Sequence, residues 1–132
     1  MLDFFKRTSV IALTVASLVL PSSTYGFATC TLYQHRDYGG SHWTLHNGDD
    51  MKMVGQPDVG VSDGIHRFLY DPSWNDQVSS FKVTDGCTLT LWEHVDLGGA
   101  SFRSNRSYSY VGDGWNDKAS EAICECRGLP NF

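Results

Sequence analysis

Apolar residues recur at every second position of this chain, in short runs separated by glycine and other turn-forming residues. Four such runs are Cys30 to Leu32, Phe81 to Val83, Cys87 to Leu91 and Ala122 to Cys124. A period of two places apolar side chains on one face of a β-strand, and no window keeps a helical period beyond about two turns. The pattern predicts an all-β protein of short antiparallel strands, arranged as a sandwich or a barrel.

A Trp-Asn-Asp-x-x-Ser stretch occurs twice, at residues 74–79 and again 41 residues later at residues 115–120. Two copies in a chain too short for two domains predict one fold built from two similar halves. Each copy offers an amide, a carboxylate, a hydroxyl and backbone carbonyls within a few residues. Ca²⁺ prefers oxygen ligands of these kinds, so both stretches are candidate calcium ligands.

A second repeated pattern lies upstream of each stretch. Residues 33–40 and 92–99 share the order aromatic, polar, His, variable, Asp, large apolar, Gly, Gly. This order predicts a sharply folded hairpin, which needs a backbone conformation forbidden to side chains, and Gly40 and Gly99 can supply it.

The first half of the chain is longer than the second. Between the hairpin aromatic and the Trp of the Asn-Asp stretch the chain advances 41 residues in the first half but 23 in the second. We place the extra residues in the segment 48–64, which is rich in aspartate and glycine. An insertion of this length predicts either a functional loop or a tolerated, poorly ordered excursion.

Residues 1–26 predict a secretory signal peptide. Lys6 and Arg7 precede an apolar run from Val10 to Leu20, and small or polar residues follow it. The run is shorter than the ~20 residues that span a membrane, which disfavours the alternative of a retained anchor. We expect cleavage after Gly26 or Ala28, an extracellular location, and no membrane span in the mature chain.

The acidic charge of the chain bears on its partners. Loss of residues 1–26 would leave 8 basic and 14 acidic residues, which changes the formal charge from -5 to -6. Nucleic acids and anionic lipids attract basic surfaces, so this composition disfavours them as partners and favours a cation.

All four cysteines lie after the predicted signal peptide: Cys30, Cys87, Cys124 and Cys126. An even number in a small secreted domain favours disulfides, and three connectivities are open. A zinc site is the alternative, but the Cys-x-Cys spacing is tighter than structural zinc sites use.

Taken together, the repeated patterns resemble those of the βγ-crystallin superfamily. The matching residues are the aromatic-x4-aromatic-x-Gly pattern at Tyr33, Tyr38 and Gly40, its variant at Trp92, Leu97 and Gly99, and the Asn-Asp stretches at 75–80 and 116–121. The resemblance covers nearly the whole mature chain. It implies a single domain, residues 27–132, in which two Greek-key motifs of four strands (about 27–85 and 86–127) pack as one β-sandwich. Each motif is expected to lend one strand to the other's sheet.

The resemblance also implies roles for individual residues. Tyr33 and Trp92 would cover the two hairpins. Leu97 stands where an aromatic is usual, and Glu121 replaces a serine whose hydroxyl ties down the hairpin, so the second hairpin is expected to be looser. Because the first and last strands of one Greek key are antiparallel neighbours, the pairing of Cys87 with Cys126 is favoured.

Two calcium sites are implied by the same resemblance, each built from both motifs. One would use the carbonyl of Gln34, the hydroxyl of Ser79, the carboxylate of Asp117 and the carbonyl of Lys118. The other would use the carbonyl of Glu93, the hydroxyl of Ser120, the carboxylate of Asp76 and the carbonyl of Gln77. Four protein ligands with one carboxylate leave positions to water, which predicts affinities on the order of 10⁻⁵ to 10⁻³ M. The alternative is a turn that binds no metal, since Asn and Asp also bond to nearby backbone.

These observations predict a secreted, calcium-binding module with a structural or stress-related role. No catalytic signature is present, so we expect neither an enzyme nor an organic cofactor. The alternative is a secreted effector of the same fold, antimicrobial, toxin-like or protease-inhibiting, that acts through the 48–64 loop. Expected partners are calcium ions and an extracellular protein or cell-surface target, and the chain is expected to be a monomer.

Overall fold

The structure, a computed structural model, describes residues 28–60 and 62–127. The predicted signal peptide lies outside these residues. The described chain forms eight strands: β1 (Thr29–His35), β2 (Gly39–His46), β3 (Asp49–Lys52), β4 (Arg67–Tyr70), β5 (Ser80–Val83), β6 (Cys87–His94), β7 (Gly98–Ser104) and β8 (Glu121–Cys126). Within the described ranges, no helix has the length and apolar character needed to cross a bilayer.

The strands form two sheets, which confirms the all-β prediction. One sheet has the order β2-β1-β5, and the other has the order β4-β3-β8-β6-β7. The four alternating runs seen in the sequence fall in β1, β5, β6 and β8. In β1 the alternate residues Cys30 and Leu32 are buried because one face of the strand is turned toward the opposing sheet, whereas β8 is buried at almost every position.

The first half lends a strand to the sheet of the second half, as the resemblance implies, but within the described chain the second half contributes only a bridge in return. β3, from the first half, pairs antiparallel with β8 of the second half. In return, Tyr108 of the second half bridges to Phe81 of β5 through two backbone hydrogen bonds of 3.0 Å. The five-stranded sheet is therefore composite, whereas the three-stranded sheet consists of first-half strands and, among the described residues, receives only this bridge from the second half.

The core lies between the two sheets. Its largest fully buried apolar side chains come from both sides: Leu32, Leu45 and Phe81 from one sheet, and Met51, Leu89 and Leu91 from the other. Burial of each such side chain stabilises the fold by about 1.5–3 kcal/mol relative to exposure.

Two disulfides reinforce this core. Cys87 and Cys126 are directly opposed on β6 and β8 and are joined, which confirms the favoured pairing. Cys30 on β1 is joined to Cys124 on β8, so this second disulfide links the two sheets. The described chain contains no free cysteine, and no thiolate is therefore left for the alternative zinc site.

The two hairpins have the backbone that the glycine pattern predicts. Gly40 has φ 77° and Gly99 has φ 73°, both in the left-handed region. A Cβ atom at Gly40 would lie 2.5 Å from Cδ2 of His35, and one at Gly99 would lie 2.7 Å from Oε1 of Glu93. Side chains at either position would therefore both strain the backbone and clash with the strand beneath.

Different side chains fasten the two hairpins. Ser80 donates a hydrogen bond to the carbonyl of His35 at 2.6 Å and accepts one from the amide of Tyr38 at 3.1 Å. At the equivalent place in the second half, Oε1 of Glu121 accepts from the amide of Leu97 at 2.9 Å. The sequence suggested that the second hairpin lacks the serine bond and is therefore looser. In the structure, the longer, acidic side chain of Glu121 fastens this hairpin instead.

The segment 48–64 is not one loop, contrary to the sequence prediction. Its residues 49–52 form β3, and β4 adds a parallel strand to the edge of β3. Asp49, which reads as a loop acid, is fully buried and receives two 2.8 Å hydrogen bonds from the guanidinium of Arg67 on β4. The loop proper is residues 53–66, between the end of β3 and the start of β4.

Two further buried acids, Asp50 and Glu121, are neighbours. Asp50 and Glu121 are 5% and 0% exposed, and Lys52 reaches Oε2 of Glu121 at 3.2 Å and Oδ1 of Asp96 at 2.6 Å. Burial, together with the neighbouring Glu121, raises the pKa of Asp50 to about 8. Asp50 is therefore protonated at neutral pH, which avoids two adjacent buried negative charges.

This raised pKa predicts how stability depends on pH. In the unfolded chain Asp50 ionises near 3.8, whereas in the folded chain it stays protonated up to about 8. The folded state then binds more protons across this window, so stability falls as pH rises, by up to about 1.4 kcal/mol per pH unit. Asp50→Asn removes the ionisable group, and we expect its melting temperature to match that of the parent near pH 4 and to exceed it by several degrees near pH 8.

The measurement is thermal unfolding followed by circular dichroism across this pH range. Asp58→Asn is the matched control, because it removes an acid from the exposed part of the same insertion. A difference between Asp50→Asn and the parent that stays constant with pH would contradict the assignment.

Candidate metal centre

The two Asn-Asp stretches lie side by side and are joined by reciprocal backbone hydrogen bonds. The amide of Asp76 donates to the carbonyl of Ala119 at 3.0 Å, and the amide of Asp117 donates to the carbonyl of Val78 at 3.2 Å. The structure thus brings the two candidate acids to adjacent segments rather than to opposite ends of the molecule.

Both acids adopt the same unusual backbone conformation. Asp76 has φ 58° and Asp117 has φ 56°, in the left-handed region that Asp and Asn tolerate better than other side chains do. Both carboxylates are exposed at the surface. The backbone conformation therefore explains why Asp occupies both positions, whether or not a metal is bound.

Each stretch is also docked on the hairpin strand of its own half. The amide of Ser79 donates to the carbonyl of Tyr33 at 3.0 Å, and the amide of Ser120 donates to the carbonyl of Trp92 at 2.9 Å. These equivalent bonds place the two candidate serines beside the residues that follow Tyr33 and Trp92.

Those following residues are Gln34 and Glu93, whose carbonyls are candidate ligands. Each lies at a break in strand register: Tyr33 and His35 have partners on β2 but Gln34 has none, and Glu93 is likewise unpaired within β6 and β7. An extra residue of this kind is left out of the ladder of hydrogen bonds. The bulges therefore keep the backbone at both positions available for another partner.

In the first candidate site, the two side chains proposed as ligands lie close together. The hydroxyl of Ser79 lies 3.3 Å from Oδ1 of Asp117, which joins the two motifs through their candidate ligands. A cavity of about 500 Å³ is lined by Gln34, Ser79 and Asp117, and also by Gln77 and Asn116. The resemblance places the carbonyl of Gln77 in the other site, but Gln77 also lines this cavity.

Sequence reasoning missed two residues of this cavity, Arg36 and Tyr110. The guanidinium of Arg36 lies 3.7 Å from the centre of the Tyr110 ring, and the Tyr110 hydroxyl donates to Asp113. A fixed positive charge at the rim opposes the binding of a cation. Arg36 occupies the variable position of the hairpin pattern, so the repeat gave no signal for it.

The second candidate site is arranged differently. The hydroxyl of Ser120 donates a 2.6 Å hydrogen bond to the amide oxygen of Asn75. The Glu93 carboxylate lies 3.8 Å from Nζ of Lys118 and 3.6 Å from Nε2 of His94. Of the candidate ligand atoms of this site, the Ser120 hydroxyl therefore already has a protein partner, and two basic side chains lie beside the Glu93 carboxylate.

The donor set decides which ion these residues fit. Within residues 28–60 and 62–127, the only group of three or more acids, histidines or cysteines close enough to share an ion consists of cysteines held in the disulfides. A metal at the Asn-Asp stretches must be held by a single carboxylate with hydroxyl and carbonyl oxygens. Such hard, weakly charged oxygen sets fit Ca²⁺ and suit neither zinc nor copper.

No protein-family model and no curated protein sequence matches the chain. Solved structures do match it. A βγ-crystallin domain from Flavobacterium johnsoniae has 27% sequence identity and a TM-score of 0.56, and the match covers 76% of this chain and 97% of that one. A double mutant of a βγ-crystallin domain from Clostridium beijerinckii has 25% identity and a TM-score of 0.55, with 74% and 96% covered.

The N-terminal domain of protein S is similar in fold, with a TM-score of 0.57 and 18% identity over 77% of this chain and all of that domain. The matches span nearly the whole of each comparison domain, and two of them retain about a quarter of the sequence. With its two hairpin patterns, its two Asn-Asp stretches and the strand β3 that joins the sheet of the second half, the chain belongs to the βγ-crystallin superfamily.

Proposed function

We propose that this chain is a secreted, calcium-binding βγ-crystallin module whose role is structural or stress-related and not enzymatic. The observation that carries the proposal is the 3.3 Å approach of Ser79 to Asp117, because it joins the two motifs through two candidate ligand oxygens. The free backbone at Gln34 supports it, since this residue borders the same cavity.

The ligands of the first site would be the Ser79 hydroxyl, the Asp117 carboxylate and the carbonyls of Gln34 and Lys118. A bound calcium ion would carry two positive charges, and oxygens from both motifs would coordinate it together. Ser79 is positioned by the bond from its amide to Tyr33, and Asp117 by the bond from its amide to Val78. The backbone of both residues is therefore held at the site, and calcium binding would stabilise the folded state.

The proposal predicts that calcium raises the melting temperature of the protein. At calcium about a hundredfold above Kd, binding contributes about 2.7 kcal/mol. For a domain of about 100 residues this corresponds to a rise on the order of 10 °C. We expect calcium to raise the melting temperature of the mature protein relative to EDTA, and magnesium to do so less because it sheds water reluctantly.

Asp117→Asn combined with Asp76→Asn should remove most of the calcium-dependent rise. Asparagine tolerates the left-handed backbone, so the turns should survive while both carboxylates are lost. Asp58→Asn again serves as the control and should keep the full response. Equal melting temperatures of the parent in calcium and in EDTA would refute the proposal.

A further prediction concerns the rim charge at the first site. Arg36→Gln removes the cation that borders the cavity, and we expect calcium affinity there to increase roughly two- to fivefold, as for the loss of one exposed charge. Isothermal titration of the mature protein measures this change. Arg103→Gln, which removes an exposed charge outside this cavity, is the control, and an equal gain in both variants would show only a net-charge effect.

A second candidate function is favoured by one observation on the 53–66 loop. Of the four large apolar side chains most exposed in the described chain, Val54, Val59 and Ile65 lie in this loop. An effector or protease inhibitor would present such a surface to a protein target. Inhibition of a secreted metalloproteinase by the parent, lost in Val54→Ser with Val59→Ser while the calcium response is kept, would establish this role. Absence of inhibition by the parent would reject it for this enzyme class.

A further inference from the structure

Three arginines border one cavity on the larger sheet. A cavity of about 480 Å³ is lined by Arg103, Arg106 and Arg127 together with Thr88, Ser104, Asn105 and Tyr108. No carboxylate belongs to this lining. The described chain has eight lysines and arginines against fourteen acids, so three of its eight basic residues meet at one place.

The three arginines come from the ends of two strands, β7 and β8, and each has a hydrogen bond that holds it in position. Arg103 lies on β7, and its Nη1 donates to the hydroxyl of Thr90 at 3.3 Å. Arg106 follows β7, where the Ser104 hydroxyl accepts from its amide at 3.1 Å and donates to its carbonyl at 2.9 Å. Arg127 follows β8, and its amide donates to the carbonyl of Gly86 at 2.8 Å. Fixed backbone lowers the entropy cost of binding a ligand.

Most of the guanidinium donors in this cluster are unused. An arginine side chain has five N–H donors. Within the described chain, the guanidinium groups of Arg106 and Arg127 form no ion pair or hydrogen bond, and Arg106 lies 6.0 Å from the ring centre of Tyr108. The cavity therefore offers many strong donors that lack an acceptor.

Nearby acids only partly compensate the charge. Glu125 lies 3.6 Å from Nη1 of Arg103, but both side chains are more than half exposed, so this pair contributes little. Asp85 borders an adjoining cavity of about 340 Å³, which shares Thr88, Asn105 and Arg127 with the first. Even with both acids included, the three arginines leave a net positive charge on an acidic protein.

We propose that this arginine cavity binds a tetrahedral oxyanion, a phosphate or sulfate group, either free or carried on an organic molecule. Planar guanidinium groups donate paired hydrogen bonds to the oxygens of such anions. Three converging arginines repel one another, and a multivalent anion would relieve that repulsion. The hydroxyl of Thr88 and the amide of Asn105 would add neutral donors beside the charged ones. This site is independent of the calcium proposal.

The test titrates the mature protein, kept in EDTA and low salt, with inorganic phosphate, inorganic sulfate, glucose 6-phosphate, glucose 6-sulfate and acetate. Two-dimensional NMR of the backbone and of the arginine Nε–Hε groups provides the readout. We expect saturable shifts at Arg103, Arg106, Arg127 and Asn105, with a Kd on the order of 1 mM, equivalent to about 4 kcal/mol. Tighter binding of the esters would identify an organic ligand, and tighter binding of the inorganic ions would identify a free anion.

Arg106→Gln and Arg127→Gln should each weaken binding about tenfold, the loss expected for one charge-assisted interaction. Arg36→Gln is the matched control, because it removes the same charge outside this cavity and should leave the affinity unchanged. Melting temperatures of all variants verify that they are folded. Absence of saturation, equal weakening by Arg36→Gln, or equally tight binding of acetate would overturn the proposal.

Discussion

Two backbone hydrogen bonds, one from Asp76 to Ala119 and the other from Asp117 to Val78, fix how the halves of this protein meet. Both aspartates are left-handed where they form these bonds, a conformation that few residues other than Gly, Asn and Asp tolerate. Because the stretches run side by side, Ser79 of one half comes within 3.3 Å of Asp117 of the other. The exchanged strand β3 and the bridge at Tyr108 extend the same contact into the sheets. The candidate metal centre is thus a consequence of how the motifs associate.

The sequence predicted the features that repeat and missed those that occur once. The alternating runs located four strands, and the duplicated patterns located both hairpin glycines and both Asn-Asp stretches, whereas the bulges at Gln34 and Glu93 were found only in the structure. The sequence predicts a loop where β3 lies, because Asp49 and Asp50 are acidic. Their burial depends on residues distant along the chain, Arg67 at Asp49 and Glu121 at Asp50. Arg36 was missed for the same reason: its importance comes from Tyr110, which is distant in sequence and has no counterpart in the other half.

Glu121 shows how one departure from the repeat changes its surroundings. A serine at the equivalent position, Ser80, fastens its hairpin with a neutral hydroxyl. Glu121 reaches the same kind of amide but brings a carboxylate into a fully buried position. Asp50 then stays protonated up to about pH 8, and Lys52 supplies a positive charge. The longer side chain therefore ties the stability of the second hairpin to β3 and to pH, which the serine does not do.

The stabilisation of the folded state by the disulfides can be compared with the stabilisation that a bound metal would add. Cys30 and Cys124 join the two sheets across a sequence separation of 94 residues. Closing a loop of about 100 residues stabilises the folded state by about 4.7 kcal/mol in the chain-entropy model, whereas calcium at a hundredfold excess over Kd would contribute about 2.7 kcal/mol. The disulfide between the sheets therefore contributes more to the stability of the sandwich than calcium would. Calcium at the Asn-Asp stretches would adjust the association of the motifs and would not be needed to create it.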